Sequence, residues 1–536
     1  MVREGTAGER RRAGRLRALM PTSPELVMCV GLGLYFAWVE NTFYGSRFAE
    51  GASASAVSGL RAVYFLSIGV LLVTLLACTL AHRRVGSWLY TRACLCVAPI
   101  CMSVSTLLLG TSMGVSFSLP LLLVCGLGTG VSSALCLFHW GGATSALGVR
   151  EIVRVSAIAY VIATLCEVLF QAGRDFVFGS AGPELWFVLL DALCPLVSGA
   201  ALLLVVTRGL VSFDLRRPAC PDEGAVMAAA PDAPRGQGEA RPRSVVGRLS
   251  VALIAVGFVP VSCREVNSLL MARIDGVMTG WLSLVYVGTL LIVGLVAVAI
   301  MLSFLTAEPI RPLGLCYRAV ILLALVSVCL LPPAAQYHSP LLGTASVLAS
   351  AAINSCHLMM WITTAGICHA HRDRTTQFFG IVRLGWTLGP LLGSLYGAGY
   401  EAGLSGSGWS YAHMILCVVL LFVVYSSVFT EKILAETLSL IPQPKRRRAP
   451  FRERLQLVAG RYGLTDREME IMGLFAKGRD SAFIQEELSL SKSTVSTHRQ
   501  HIYAKLGIHS QQELLDLLEG RGGEDQRVAT DQPDGR

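Results

Sequence analysis

Three polar residues near the C-terminal end, Ser493, Thr497 and Gln500, lie three and four apart, the spacing that lines side chains along one face of a helix. With Val495 at zero and about 100° per residue, Gln500, Ser493, Ala504 and Thr497 fall at about 140°, 160°, 180° and 200°, whereas Leu506, Ile502 and His498 fall at about 20°, 340° and 300°. The second set makes a core face. The first has the chemistry that reads base edges in a major groove: Gln500 suits adenine through two hydrogen bonds, Thr497 a thymine methyl, and Ser493 is permissive. Lys492, Thr494 and Lys505 flank that face and are expected to hold phosphates, which position a domain without reading sequence. His498 is expected to be packed or bonded to phosphate, not to act as a metal ligand or base.

A second set lies inside long apolar runs, where an ionisable or amide side chain is costly and therefore a candidate for ligand contact. It comprises Glu40 and Asn41, Glu167, Arg264, Glu265 and Asn267, His357 with Trp361 four residues on, and Arg383 with Trp386 three residues on. Together these would furnish a pocket with aromatic walls and a few oriented charges. The alternative is that Arg264 and Arg383 pair with Glu40, Glu167 or Glu265 and only fix helix packing, contacts often worth under about 1 kcal/mol. Cys368, His369 and His371 lie close together, but a loop position accounts for them, and neither a metal nor a cofactor is expected. The chain has no GxxxxGK[ST], no GxSxG and no placed Cys, His and Asp set, so it is not expected to be an enzyme.

The elements that must hold these residues follow from two solvents along one chain. Of 536 residues, 53% are hydrophobic and 15% charged, against about 45–50% and about 25% in a soluble domain. All eight tryptophans precede residue 410, and the sixteen cysteines lie almost wholly in apolar runs, as small buried hydrophobes and not a disulfide framework. A membrane span needs about 20 apolar residues. Such runs occur at 24–44, 57–81, 87–109, 114–138, 153–172, 184–207, 247–270, 279–305, 313–332, 341–366, 377–399 and 410–430. The expected organisation is a basic leader (1–21), six spans (22–207), a Pro- and Gly-rich linker (208–246), six more spans (247–430), a juxtamembrane linker (431–460), a helical domain (461–520) and a tail (521–536). Arginines cluster in the leader, in the linker and in the loops near Arg83, Arg150, Arg311 and Arg372, which by the positive-inside rule places both termini and the helical domain in the cytoplasm. The basic run Lys445 to Arg448 reads as an anchor to anionic membrane lipid, with DNA phosphate as the alternative.

Six spans, a linker and six spans resemble the major facilitator architecture, whose substrate site lies between the halves near the midplane. The family's signature between its second and third helices is poorly matched by LAHRRVGSWLYTR. At the other end, capping signals at Thr465 with Glu468, Asp480, Ser491, and Ser510 with Glu513 divide four short helices. The stretch from Gly463 to Leu515 resembles the LuxR-type DNA-binding domain through Gly463, Leu464, Thr465, Arg467 and Glu468, then Leu490, Ser491, Thr494, Val495 and His498, then Ile502, Lys505, Leu506 and Gly507. That resemblance adds Ser496 to the DNA face, at a position where relatives commonly carry Lys. It also implies dimerisation through the fourth helix, at Leu514, Leu515 and Leu518, although core packing accounts for one or two of these.

The expected protein is all-α: a twelve-helix transmembrane bundle, six plus six and major-facilitator-like, followed by a four-helix helix-turn-helix domain. The resemblances imply a bacterial one-component transcriptional regulator in the cytoplasmic membrane that senses a small molecule through its bundle and binds double-stranded promoter DNA as a homodimer, with RNA polymerase a candidate partner. The rival is a secondary transporter with a regulatory DNA-binding tail.

Overall fold

The computed structural model describes residues 20–44, 54–111, 118–173, 185–211, 213, 242–271, 278–303, 310–337, 341–403, 407–427 and 451–519. Most of the leader and of the 208–246 linker, the run Lys445 to Arg448 and the 521–536 tail lie outside the described residues. The chain divides into two compact units, Met1–Pro444 and Lys445–Arg536, and all described elements are helical.

The first unit contains α1 (Ser23–Val39, continued by a π-helix at Glu40–Tyr44), α2 (Ala54–Leu80), α3 (His82–Leu89), α4 (Arg92–Thr111), α5 (Leu119–Ser145), α6 (Val149–Gly173) and α7 (Leu185–Thr207). A second set follows: α8 (Pro242–Met271), α9 (Met278–Ser303), α10 (Ile310–Tyr337), α11 (Leu341–Ala370), α12 (Thr375–Gly403) and α13 (Ser407–Ser427). Among the described residues ten helices are long and apolar enough to cross a membrane, and Val287–Ser303 is a shorter apolar stretch within α9. The protein is a membrane-embedded, multi-pass chain; α1, at 17 residues, and α9 stand where the other two expected spans lie. The run expected to span from residue 87 begins at Arg92, because His82–Leu89 forms a separate short helix whose charges gather on one face.

The two sets meet through matched pairs. Helix α2 packs on α12, and α6 packs on α9. In a count of long helices these are second on eleventh and fifth on eighth, so exchanging the halves exchanges the pairs, as an internal repeat requires. Among the described residues the most extensive helix-to-helix packing in the bundle is between α8 and α12. There Gly385, Gly389, Gly393 and Gly397 recur every fourth residue, on one face of the helix. A Cβ would lie 2.1 Å from the Ser250 carbonyl oxygen at Gly385, 2.4 Å from that of Ile254 at Gly389, and 2.6 Å from the Glu265 Cβ at Gly397. Small residues at this spacing let membrane helices touch backbone to backbone, gaining dispersion contacts where no hydrophobic force acts between them. Near the start of α1, Glu25 accepts from Thr22 N at 2.8 Å and from Arg154 Nε of α6 at 3.0 Å, which fixes the α1–α6 pair.

The second unit contains α14 (Phe451–Tyr462), α15 (Asp466–Ala476), α16 (Ser481–Leu488), α17 (Lys492–Leu506) and α18 (Gln511–Glu519). Its core is Leu455, Ile471, Met472, Phe475, Ile484, Val495, Ile502, Leu506, Leu514 and Leu518. Helix α14 was expected to be linker; instead Leu455 and Ala459, four apart, are buried, so the described residues of this unit form five helices, with the first packed on α15 and α18.

Candidate nucleic-acid interface and intramembrane polar centre

Local capping shapes the second unit. Thr465 and Glu468 form the expected capping box of α15, with Thr465 N to Glu468 Oε2 at 2.8 Å. Asp480 accepts from Phe483 N at 2.8 Å and Ser491 from Thr494 N at 3.2 Å. At the last expected cap, Glu513 accepts from His509 N at 2.8 Å while Ser510 Oγ accepts from Glu513 N at 3.1 Å. The turn between α16 and α17 is Ser489, Leu490 and Ser491, and Ser489 closes α16 in the left-handed region at φ 52°. Arg467 of α15 donates to the Leu488 carbonyl at 3.0 Å and so ties the end of α16, just before this turn, to α15.

Helix α17 presents the faces that periodicity predicts. Val495, Ile502 and Leu506 are buried, and Lys492, Ser493, Thr497, Gln500 and Ala504 are exposed, with Thr494 and Ser496 half-buried at the margin. Ser491 Oγ lies 2.8 Å from Ser493 Oγ and 2.7 Å from Thr494 Oγ1, so the hydroxyls at the helix start form one cluster. His498 is half-buried, as its angle requires.

Two expectations need correction. Lys505, expected at a phosphate, donates to Glu468 Oε2 at 2.7 Å and to the Gly463 carbonyl at 3.3 Å. It lies at about 280° on the helix wheel, on the core margin, and there it closes α17 against the start of α15. The same ammonium, with the Thr465 donors, holds the Glu468 carboxyl down at about 2. Leu514 and Leu518, expected to meet a second copy, are 0% and 5% exposed within their own unit's core, because α18 needs them to cover α15. Leu515 alone of the three is half-buried.

In the bundle the ten candidate residues do not form one pocket. His357 and Trp361 of α11 meet Arg383 and Trp386 of α12 at the centre, where Arg383 Nη1 donates to His357 Nε2. A guanidinium has no acceptor, so that contact places the lone pair of a neutral imidazole on Nε2. Trp386 stacks on His357 at 5.0 Å and Arg383 lies 5.2 Å from the Trp361 ring centre. The opposite wall comes from the first half and was not foreseen: Phe36 of α1 stands 4.9 Å from Trp361, and Tyr160 of α6 stands 5.3 Å from His357. The indoles of Trp38 and Trp140 donate to Thr106 and Ser198, both at 2.9 Å. Trp361 Nε1, fully buried, has no acceptor among the described residues.

The remaining candidates lie apart from this centre. Glu40, Arg264 and Glu265 are close enough to one another and to Tyr64 to interact electrostatically, with Arg264 Nη2 3.6 Å from Glu265 Oε1. Asn41 and Asn267 are buried one residue beyond Glu40 and two beyond Glu265, and Thr42 donates to Asp191 at 2.8 Å. Glu167 is buried on α6, about two turns from Tyr160.

Residues 463–518 match the family described as bacterial regulatory proteins, luxR family. Over 53 residues the chain is 42% identical to the fimbriae Z protein of Salmonella typhimurium and 45% identical to the oxygen regulatory protein NreC of Staphylococcus aureus, a tenth of this chain in each case. It spans about a quarter of the length of these relatives. The bundle is similar in fold to the crystal structure of a bacterial homologue of the iron transporter ferroportin in its outward-facing state, with a TM-score of 0.51 and 13% identity over 78% of this chain and the whole of the other. A Ser491-capped helix with a buried Val495, Ile502 and Leu506 edge and an exposed polar edge, set in a matching sequence, is therefore a LuxR-family helix-turn-helix domain, carried on a chain whose membrane part has a major-facilitator-like fold.

Proposed function

We propose that this chain is a membrane-anchored, one-component transcriptional regulator whose bundle senses a small molecule and whose C-terminal domain binds promoter DNA from the cytoplasmic side. The observation that carries it is the exposed polar face of α17, with Lys492, Ser493, Thr497 and Gln500 free of the core, in a chain that also crosses the membrane many times. Ser493, Thr497 and Gln500 read base edges, and Lys492, Thr494 and Ser496 sit toward phosphate. Two copies assemble on DNA through the part of α18 that its own core leaves uncovered, at Leu515. The arginine distribution supports cytoplasmic termini, and the reading includes no catalysis.

For the ligand, the reading favours the centre at His357, Trp361, Arg383 and Trp386 over Glu40, Asn41, Glu167, Arg264, Glu265 and Asn267. The buried Trp361 donor beside the Arg383 guanidinium suits a ligand bearing acceptor oxygens, such as a carboxylate. Phe36 and Tyr160 close that centre from the first half, so a ligand that enters must part the halves. It thereby binds one arrangement of the bundle better than another, which is the condition for a ligand to shift an equilibrium.

The test is transcript profiling and reporter dose response in cells carrying the full chain, with Arg383→Gln and Trp361→Phe variants at matched membrane levels. A regulator changes target transcripts without substrate flux, and these variants shift or abolish the response. A wild-type response in both would remove the centre from the sensing role. The second reading, a secondary transporter with a regulatory tail, is favoured by the fold shared with a transporter homologue; it requires uptake or efflux that survives deletion of the C-terminal unit.

A further inference from the structure

In the second half of the bundle, away from the His357 centre, three soft ligand groups converge. Cys263 is on α8; His413 and Cys417 are on α13, four residues apart and so on one face. All three are buried, at 1% exposure or less, and one ligand atom from each lies within 4.8 Å of the others. His413 Nε2 is 3.5 Å from Cys263 Sγ and 3.6 Å from Cys417 Sγ. Zinc bonds of about 2.3 Å to sulfur and about 2.05 Å to nitrogen, at a tetrahedral angle, put sulfur and nitrogen about 3.6 Å apart. Both nitrogen-to-sulfur distances thus match those a tetrahedral ion holds, and the two sulfurs lie within 4.8 Å of each other.

We propose that Cys263, His413 and Cys417 form an intramembrane site for a soft, tetrahedral transition-metal ion, with zinc(II) the best fit. Two thiolates neutralise the dication, so the loaded site places no net charge in the low-dielectric interior, whereas hard oxygen-seeking ions find no carboxylate among these donors. The Tyr396 ring stacks on His413 at 4.9 Å and so holds the plane of the imidazole. Three protein ligands leave a fourth position, with the Ser262 hydroxyl 3.9 Å from Cys417 Sγ beside it. Because α8 and α13 contribute to one site, metal binding clamps them together, and α13 is the last described helix before the C-terminal unit. This inference is independent of the ligand reading above.

The test uses the full-length protein, reduced, chelated and kept in detergent, with cobalt(II) and then zinc(II) as probes. The expected result is one cobalt per chain, with sulfur-to-cobalt charge-transfer absorption and the visible bands of a tetrahedral ion, both removed by zinc. Cys263→Ser and Cys417→Ser each lower the sulfur-to-cobalt band by half or more and the double variant abolishes it, while Cys368→Ser retains it in full. A measurement without variants supplies a second arm: X-ray absorption of the zinc-loaded wild-type chain should show a first shell of two sulfurs and one imidazole nitrogen. No sulfur-to-cobalt band in the wild type, a band undiminished in the single variants or present in the double variant, or a zinc shell of oxygen and nitrogen alone would overturn the site.

Discussion

The two units of this chain bury apolar cores alike but differ in what they expose and in how many polar groups they enclose. In the bundle Val73, Val251, Leu295 and Phe422 stand between 68% and 71% exposed, while His139, Asp191, Asn267 and Arg383 are buried. In the C-terminal unit Ile471, Met472, Ile484 and Val495 are buried and Lys492, Arg499 and Gln500 are exposed. Water holds the second unit together by expelling apolar surface. Lipid gives the bundle no such force between its helices, so cohesion there falls to backbone contact and polar ties. The contrast teaches that exposure means different things at the two ends: the bundle carries leucines on its outer surface as well as in its core, whereas the outer surface of the C-terminal unit is polar.

The strongest way to break that contrast is to add volume in the bundle. Gly389→Leu should force α8 and α12 apart against the Ile254 carbonyl and abolish the folded, monodisperse membrane protein, a cost of about 3 kcal/mol or more; size-exclusion profile and thermal aggregation in detergent measure it. A leucine that left both unchanged would show that backbone contact does not hold the pair. Next, removing volume from the aqueous core should act on the other unit alone. Ile502→Ala should cost the C-terminal unit about 2–5 kcal/mol, read by urea unfolding of that transition in the full chain, with the bundle's thermal midpoint unmoved.

A smaller effect separates reading from holding on the DNA face. Gln500→Ala should lose about 1–3 kcal/mol on the operator and relax preference at one base pair. Lys492→Ala should weaken all sequences alike and flatten the salt dependence by about one ion. Binding titrations at two salt concentrations distinguish the two, and the reverse assignment would turn the docked helix around. The smallest effect is confined to acid. The Glu468 carboxyl is held at about 2 by Lys505 and the Thr465 donors, below the ordinary 4.5. Above 4.5 it is ionised in both the folded and unfolded unit, and its stabilisation is complete. Between 4.5 and about 2 the unfolded unit takes the proton first, so stability falls as pH falls. Glu468→Gln should flatten that arm of the stability profile while lowering the neutral plateau.

Much of this was legible because it is periodic. Apolar runs mark the long helices, and the 100° step alone separates Val495, Ile502 and Leu506 from Ser493, Thr497 and Gln500. Helix α14 is equally legible: Leu455, Val458, Ala459 and Tyr462 recur at helical spacing, but Pro442, Pro444 and Pro450 just before them give the stretch the look of a linker. The every-fourth-residue glycines from Gly385 were also in plain view, their meaning hidden until α8 supplied a surface. The meeting of Arg383 with His357, and of Cys263 with His413, was not legible, since partners 26 and 150 residues apart are joined only by packing. The leucines of α18 misled because a short amphipathic helix carries the same spacing whether its face covers its own domain or a second copy.

The glycine row of α12 has a consequence for inheritance. Every missense change at a glycine codon adds atoms, since no residue is smaller, and at Gly385, Gly389 and Gly397 those atoms meet a carbonyl or a side-chain carbon within 2.6 Å. Elsewhere in the bundle a lipid-facing leucine can drift to valine, isoleucine or phenylalanine with little loss. Along this edge the genetic code offers no mild alternative, so chance mutation at these glycines should often silence the protein without touching its DNA-binding end.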